Sequence, residues 1–121
     1  MAYGDEWRAA QARGEYTTAS LANEGFIHCS TIQQVLIPAN ARFRGKADLV
    51  LLCLDAAKIH APIIFEDLYQ SGIEFPHIYG TINLDAIVAV LDFIPQADGM
   101  YVLPDHLNHM ASAGRLLNPE E

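Results

Sequence analysis

His28 is the first candidate for a functional side chain. It is a polar, titratable residue in the short apolar segment that begins at Phe26. In an extended strand, Phe26, His28 and Ser30 lie on one face, and Cys29 points to the other. Ser30 and Thr31 are predicted to cap a helix there, and free N–H groups at a helix N-terminus attract anions and polar ligands. An imidazole at this place could orient a hydroxyl or phosphate group, or move a proton. The alternative is a partly buried histidine bonded to a backbone carbonyl.

A second pair of polar rings, His77 and Tyr79, lies between Pro76 and Gly80. If the stretch is extended, both side chains lie on one side, because they are two residues apart. Tyr79 could then stack on a flat ring, and His77 could form a hydrogen bond with a ribose or a carboxylate. The alternative is an aromatic turn that packs on the core. The predicted ligand-binding residues are thus Ser30, Thr31, His77, Tyr79 and Gly80.

The candidate acid is Glu66, which directly follows the apolar residues 63–65. A carboxylate at the end of that predicted strand could stabilise positive charge at a sugar carbon, as in glycosyl transfer. The competing interpretation of Glu66, and of its neighbour Asp67, is a solvated acid at a strand end. Under the catalytic interpretation, Glu66 and His28 are the predicted catalytic residues.

A metal site and a cysteine nucleophile are the competing chemistries. The ligand-type side chains near these candidates belong to His28, His77, Glu66 and Cys29. Their spacing is not that of a metal motif, and His106 and His109 lie in the weakest-patterned part of the chain. Cys29 would be a poor nucleophile, because His28 lies on the opposite face of the strand. Standard phosphate-loop, zinc-protease and serine-hydrolase motifs are absent from the sequence, so we predict no metal.

The composition limits the class of protein. The chain has 121 residues, 51% of them hydrophobic and 18% charged, with a net charge of −8. These values are typical of a single folded domain and argue against non-specific binding to nucleic acid or to anionic membranes. The longest apolar runs are six residues, whereas a membrane helix needs about 20. Two cysteines and no signal-peptide pattern predict free thiols in a cytoplasmic protein.

The elements that must position these side chains are helices early in the chain and short strands later. Helices are predicted over residues 5–13, over one turn after Ser20 and from Ser30 or Thr31, with Pro38 kinking or ending the third. One helical turn is predicted at residues 83–85, and a C-terminal helix over residues 105–117.

Strands are predicted over residues 26–29, 48–55, 63–66, 76–80 and 88–94, with residues 101–103 pairing back across a turn at Asp98 and Gly99. The run at 48–55 is expected to be buried on both faces. This pattern predicts an α+β fold, a single domain of small mixed or antiparallel sheets flanked by short helices.

Together these residues resemble the signature of a family of small, mostly bacterial proteins, the domain of unknown function 952. The resemblance extends from residue 7 to about residue 104. It is carried by Tyr16, residues 20–31, Gln34, residues 48–52, Asp55, residues 65–66, residues 75–80 and residues 84–87.

The resemblance implies an ADP-ribosyltransferase-like fold, in which two small sheets form a cleft for NAD. On that analogy, His28, Ser30, His77 and Tyr79 line the cleft and Glu66 supports the developing oxocarbenium ion. Some family members carry a glutathione transferase label, but no thioredoxin-like pattern is present here. Family members usually begin with an apolar strand, and residues 1–4 leave that strand shortened or missing.

Three functions remain open on this basis. The first is an ADP-ribosyl-transferase-like enzyme that uses NAD or a related nucleotide as cofactor. The second is a non-catalytic module that binds a small molecule or nucleotide, which a shortened N-terminus favours. The third is a homodimeric interaction protein, because a missing first strand would expose a sheet edge.

Overall fold

The structure of the chain is a computed structural model that describes residues 1–68, 70–105, 107 and 115–120. The helices within these residues are α1 (Gly4–Arg13), α2 (Ala19–Glu24) and α3 (Leu36–Arg42), with short 3-10 helices at Ala56–Lys58 and Leu84–Ala86. The strands are β1 (Ala2–Tyr3), β2 (Glu15–Tyr16), β3 (Ile27–Thr31), β4 (Leu49–Asp55), β5 (Ile63–Glu66), β6 (Phe75–Ile78), β7 (Ile82–Asn83), β8 (Ile87–Asp92) and β9 (Leu116–Pro119). Among the described helices, none has the length and apolar character to cross a membrane.

Seven of the strands form one sheet, in the order β1-β4-β9-β3-β6-β5, with β8 also paired to β4. The short strands β2 and β7 form a separate pair. Every strand pairing among the described residues is antiparallel. The predicted α+β class is therefore confirmed, with the antiparallel rather than the mixed form of sheet.

The central strand β4 holds the two halves of the core together. Its odd-numbered residues from 49 to 53 pack in an apolar cluster that includes Ala39 of α3. Leu52 and Leu54 point to the other face and pack in a second cluster with Ala10 of α1. Burying a leucine side chain contributes about 1.5–3 kcal/mol, so this strand anchors the sheet from both sides. The prediction of a strand buried on both faces is confirmed.

The predicted helix start at Ser30 or Thr31 is wrong, because β3 continues through both residues and pairs there with β9. The Gln34 side chain still accepts a hydrogen bond from the Thr31 N–H, with 3.1 Å between N and Oε1. This bond closes a turn and not a helix. α3 begins later, and Pro38 is its third residue, where an N–H would have no partner within the helix. Strand pairing between distant segments therefore overrides the local capping signal.

Two predictions for the C-terminal part are also wrong. The chain forms strand β9 at Leu116–Pro119, and the first two residues of this strand are predicted as the end of the helix over residues 105–117. Residues 106 and 108–114 of that predicted helix, with His106 and His109, lie outside the described residues. Residues 101–103 form no strand, because the Asn40 side chain accepts from the Tyr101 N–H (2.7 Å) and donates to the Tyr101 carbonyl (3.3 Å).

The first strand, which the sequence predicts to be shortened or missing, is present as the two-residue strand β1. β1 pairs with β4 through Ala2 and Tyr3, and the Met1 amino group donates a hydrogen bond to the Pro119 carbonyl. β1 and β9 thus lie end to end along one side of β4, with β8 on the other. β1 therefore covers the part of the β4 edge that a missing first strand would leave exposed.

Gly80 provides a test of close packing between the loops that follow β6 and precede β5. A Cβ atom at Gly80 would lie 2.8 Å from the Ala61 Cβ. Gly80→Ala should therefore lower the free energy of unfolding by about 1–3 kcal/mol, measured by chemical denaturation. The double variant with Ala61→Gly should be more stable than the sum of the two single effects predicts. Full additivity, or a Gly80→Ala protein as stable as the parent, would contradict this packing.

Candidate functional site

The register between β3 and β6 places His28 directly opposite His77. The two ring centroids are 5.3 Å apart, with an edge-to-face arrangement. Phe26, the residue before β3, stacks on His77 at 4.3 Å and contacts His28 at 4.8 Å and Tyr79 at 5.4 Å. The two segments that the sequence singles out therefore form one aromatic cluster.

Glu66 holds two rings of this cluster from the neighbouring strand. β5 pairs with β6, and the Glu66 Oε1 accepts a hydrogen bond from the Tyr79 hydroxyl at 2.5 Å and lies 2.9 Å from the His77 Nδ1. The hydrogen bond from Tyr79, and then that from His77, lower the pKa of Glu66. The same contact with Glu66 raises the pKa of Tyr79. An ionised carboxylate only accepts hydrogen bonds, so the His77 Nδ1 is the donor in this pair.

His28 is held by a carboxylate from the preceding helix. Gly25 ends α2 in the left-handed conformation (φ 90°), which lets the chain turn directly into β3. This turn brings the Glu24 Oε2 to 2.5 Å from the His28 Nε2. Both histidines of the cluster therefore carry a carboxylate partner on one ring nitrogen, an arrangement that fixes the orientation of the ring.

Two further charged residues, Arg42 and Glu120, meet beside His28, and sequence reasoning missed both. The Glu120 N–H donates to the His28 carbonyl (2.7 Å), which continues the β9 pairing one residue beyond the strand. The Glu120 Oε1 lies 3.2 Å from the Arg42 Nη1, and its Oε2 lies 4.0 Å from the His28 Nδ1. Nothing local in the sequence identifies them, because they come from the ends of β9 and α3.

These residues border a cavity of about 190 Å³ between α3 and the strands β3 and β6, which we call the inner cavity. Three of the four α3 residues that line it, Ile37, Pro38 and Ala41, are apolar, and the fourth is Arg42 at the end of the helix. Its remaining lining residues are His28, Cys29, Phe75, His77 and Glu120. Side chains with hydrogen-bonding groups thus converge on a space whose walls are otherwise apolar, which is typical of small-molecule sites.

A second space of about 430 Å³, the outer cavity, shares His28, Arg42 and Glu120 with the inner one. Glu24 and Ser20 add further polar groups to its lining. The Arg42–Glu120 pair and His28 therefore form the boundary between an apolar inner space and a more polar outer space.

The other predicted residues lie apart from the inner cavity. Ser30 is buried, with no hydrogen-bond partner for its hydroxyl among the described residues, and Gly80 packs on Ala61. Thr31 borders a different cavity, beside Arg115. Glu66 contacts His77, and Tyr79 contacts Glu66. Neither Glu66 nor Tyr79 borders either of the cavities described above.

The thiols give no nucleophile at this site. Both cysteines are free and buried. Burial raises the pKa of Cys29 far above its ordinary range and the pKa of Cys53 to about 11, so both remain protonated at neutral pH. Within the described residues, no three His, Cys, Asp or Glu side chains are arranged to hold a metal ion.

Comparison with known proteins gives a family and a set of solved structures. Residues 1–90 match the family described as "Protein of unknown function (DUF952)". The crystal structure of protein CC0527 from Caulobacter crescentus is 34% identical, with a TM-score of 0.78, over 88% of this chain and 93% of that one. A double mutant of it gives 34% identity and 0.77 over the same shares. Its solution NMR structure gives 32% and 0.71 over 91% and 92%. No curated protein matches the chain.

The Glu66 contacts predict a change in acid stability. Because the folded-state pKa of Glu66 lies below its usual value of 4.5, its carboxylate stabilises the fold above that pH. This contribution is lost as the pH falls through the lower, folded-state pKa. The free energy of unfolding should therefore fall less steeply in Glu66→Gln than in the parent between neutral pH and acid pH, measured by chemical denaturation. The exposed control Glu15→Gln should follow the parent, and a Glu66→Gln protein that also follows it would refute this role.

Proposed function

The chain belongs to the DUF952 family of proteins of unknown function, and from the geometry of its two cavities we propose that it binds a small molecule that carries a flat ring. The observation that carries this proposal is the inner cavity, where apolar walls meet two imidazoles and an ion pair. An apolar space with a few converging polar groups gives a ligand both affinity and orientation.

The two walls of the inner cavity favour a flat ring as the buried group. On one side, Ile37, Pro38 and Ala41 of α3 offer an aliphatic surface. On the other, β6 contributes the rings of Phe75 and His77. Aromatic ligands gain from both area burial and ring contacts in such a space.

The outer cavity favours a ligand that also has a polar part. Its boundary residues His28, Arg42 and Glu120 are shared with the inner cavity, so one molecule can contact both spaces. A nicotinamide-type nucleotide has this division into a ring and a polar remainder. NAD, the cofactor that the family resemblance implies, is therefore our candidate ligand, and an ADP-ribosyltransferase-like cleft belongs to the same proposal.

The position of Glu66 favours binding without turnover. Transfer chemistry at a ribose carbon needs a carboxylate that faces the sugar. Glu66 instead accepts hydrogen bonds from Tyr79 and His77, and it borders neither cavity. We therefore assign Glu66 a positioning role behind His77, and place His28 and His77 in contact with the ligand.

The test is ligand-observed NMR with nicotinamide, ADP-ribose and NAD as separate probes. We expect saturation transfer to the nicotinamide ring in the parent protein and its loss in Ala41→Phe, because Ala41 borders the inner cavity and a phenyl ring at this position would narrow it. Ala12→Phe, an exposed substitution on α1, is the matched control and should bind like the parent. His28→Ala should weaken binding of NAD and ADP-ribose.

Two results would overturn the proposal. One is binding that survives Ala41→Phe unchanged, which would locate the ligand elsewhere. The other is a folded parent protein that binds none of the three probes.

A further inference from the structure

The charges around the inner cavity are unevenly placed, with the negative group inside and the positive group outside. Glu120 and Arg42 are the formally charged lining residues. The Glu120 side chain is 13% exposed, whereas that of Arg42 is 62% exposed. Water screens the exposed guanidinium more strongly than it screens the mostly buried carboxylate, so the carboxylate dominates the field of this pair inside the cavity.

Two more carboxylates contribute to the negative field without bordering the inner cavity. Glu66 contacts the lining residue His77, and Glu24 contacts the lining residue His28. Against Glu120, Glu66 and Glu24 stand two cations among the described residues, Arg42 on the border of the cavity and the Met1 ammonium, whose charge acts on the lining residue Cys29. The balance of these charges is negative, so a ligand that carries a carboxylate on its buried ring would meet net repulsion.

The Glu120 carboxylate supplies the hydrogen-bond acceptor of the inner cavity. A carboxylate has only acceptor oxygens, and its Oε1 already accepts from the Arg42 guanidinium at 3.2 Å. The His77 ring beside it is almost fully buried and is held through its Nδ1 by Glu66. The cavity therefore suits a ligand whose ring lies along His77 and whose substituent donates hydrogen bonds to Glu120.

We propose that the inner cavity selects flat rings whose substituent donates hydrogen bonds and is neutral or cationic, such as a carboxamide or an amidine, and rejects rings that carry a carboxylate. This selectivity rests on the proposed binding function and names the chemical class of its ligand. An amidine matches the Glu120 carboxylate through two parallel hydrogen bonds, in the place of the Arg42 guanidinium.

Benzamidine, benzamide and benzoate test this selectivity, because they share one ring and differ in the charge of a planar substituent. We would titrate each into the ¹⁵N-labelled protein at neutral pH and fit the amide shifts. The expected order of affinity is benzamidine, then benzamide, then benzoate, with about tenfold between the first and the last. All three should lose binding in Ala41→Phe and keep it in Ala12→Phe.

Glu120→Gln identifies the carboxylate responsible. It should remove most of the preference for benzamidine over benzoate, whereas the exposed control Glu15→Gln should leave the preference unchanged. Benzoate binding as tightly as benzamide would overturn the selectivity and leave the proposed function standing. Benzamidine binding equally to Ala41→Phe would also overturn it, as attraction to the acidic surface. If none of the three binds the parent protein, both proposals fail together.

Discussion

The register of the β3–β6 pair is the constraint on which the site depends. Antiparallel pairing sets His28 opposite His77, and side chains alternate between the faces of a strand. A slip of one residue in either strand would send one imidazole to the opposite face. Glu24 and Glu66 then fix the orientation of each ring from the flanking elements. The site is thus built from backbone pairing first and from side-chain hydrogen bonds second.

β3 connects this site to the core because it is shared between two partners. Its first residues pair with β6, and its last three pair with β9. β9 also pairs with β4, the strand that both apolar clusters bury. Glu120 reaches the cavity only because it follows β9, so its position depends on the best-buried part of the sheet.

Local signals in the sequence singled out the parts of the candidate site that lie within single segments. The structure brings the apolar run with His28 into contact with the segment of His77 and Tyr79, and that segment into contact with Glu66 at the end of β5. Arg42 and Glu120 could not be predicted, because tertiary pairing alone brings the ends of α3 and β9 together. Ser30 and Thr31 show the opposite error, since a real local capping interaction forms but the strand pairing decides their conformation.

The most direct test of the binding site is a map of backbone amide shifts in the ¹⁵N-labelled protein as nicotinamide is added. Binding between α3 and the β3–β6 pair should shift amides of those three elements, with the largest changes near His28, Ala41 and His77. Shifts confined to the far edge strand β8, or no saturable shifts in the folded protein, would contradict it.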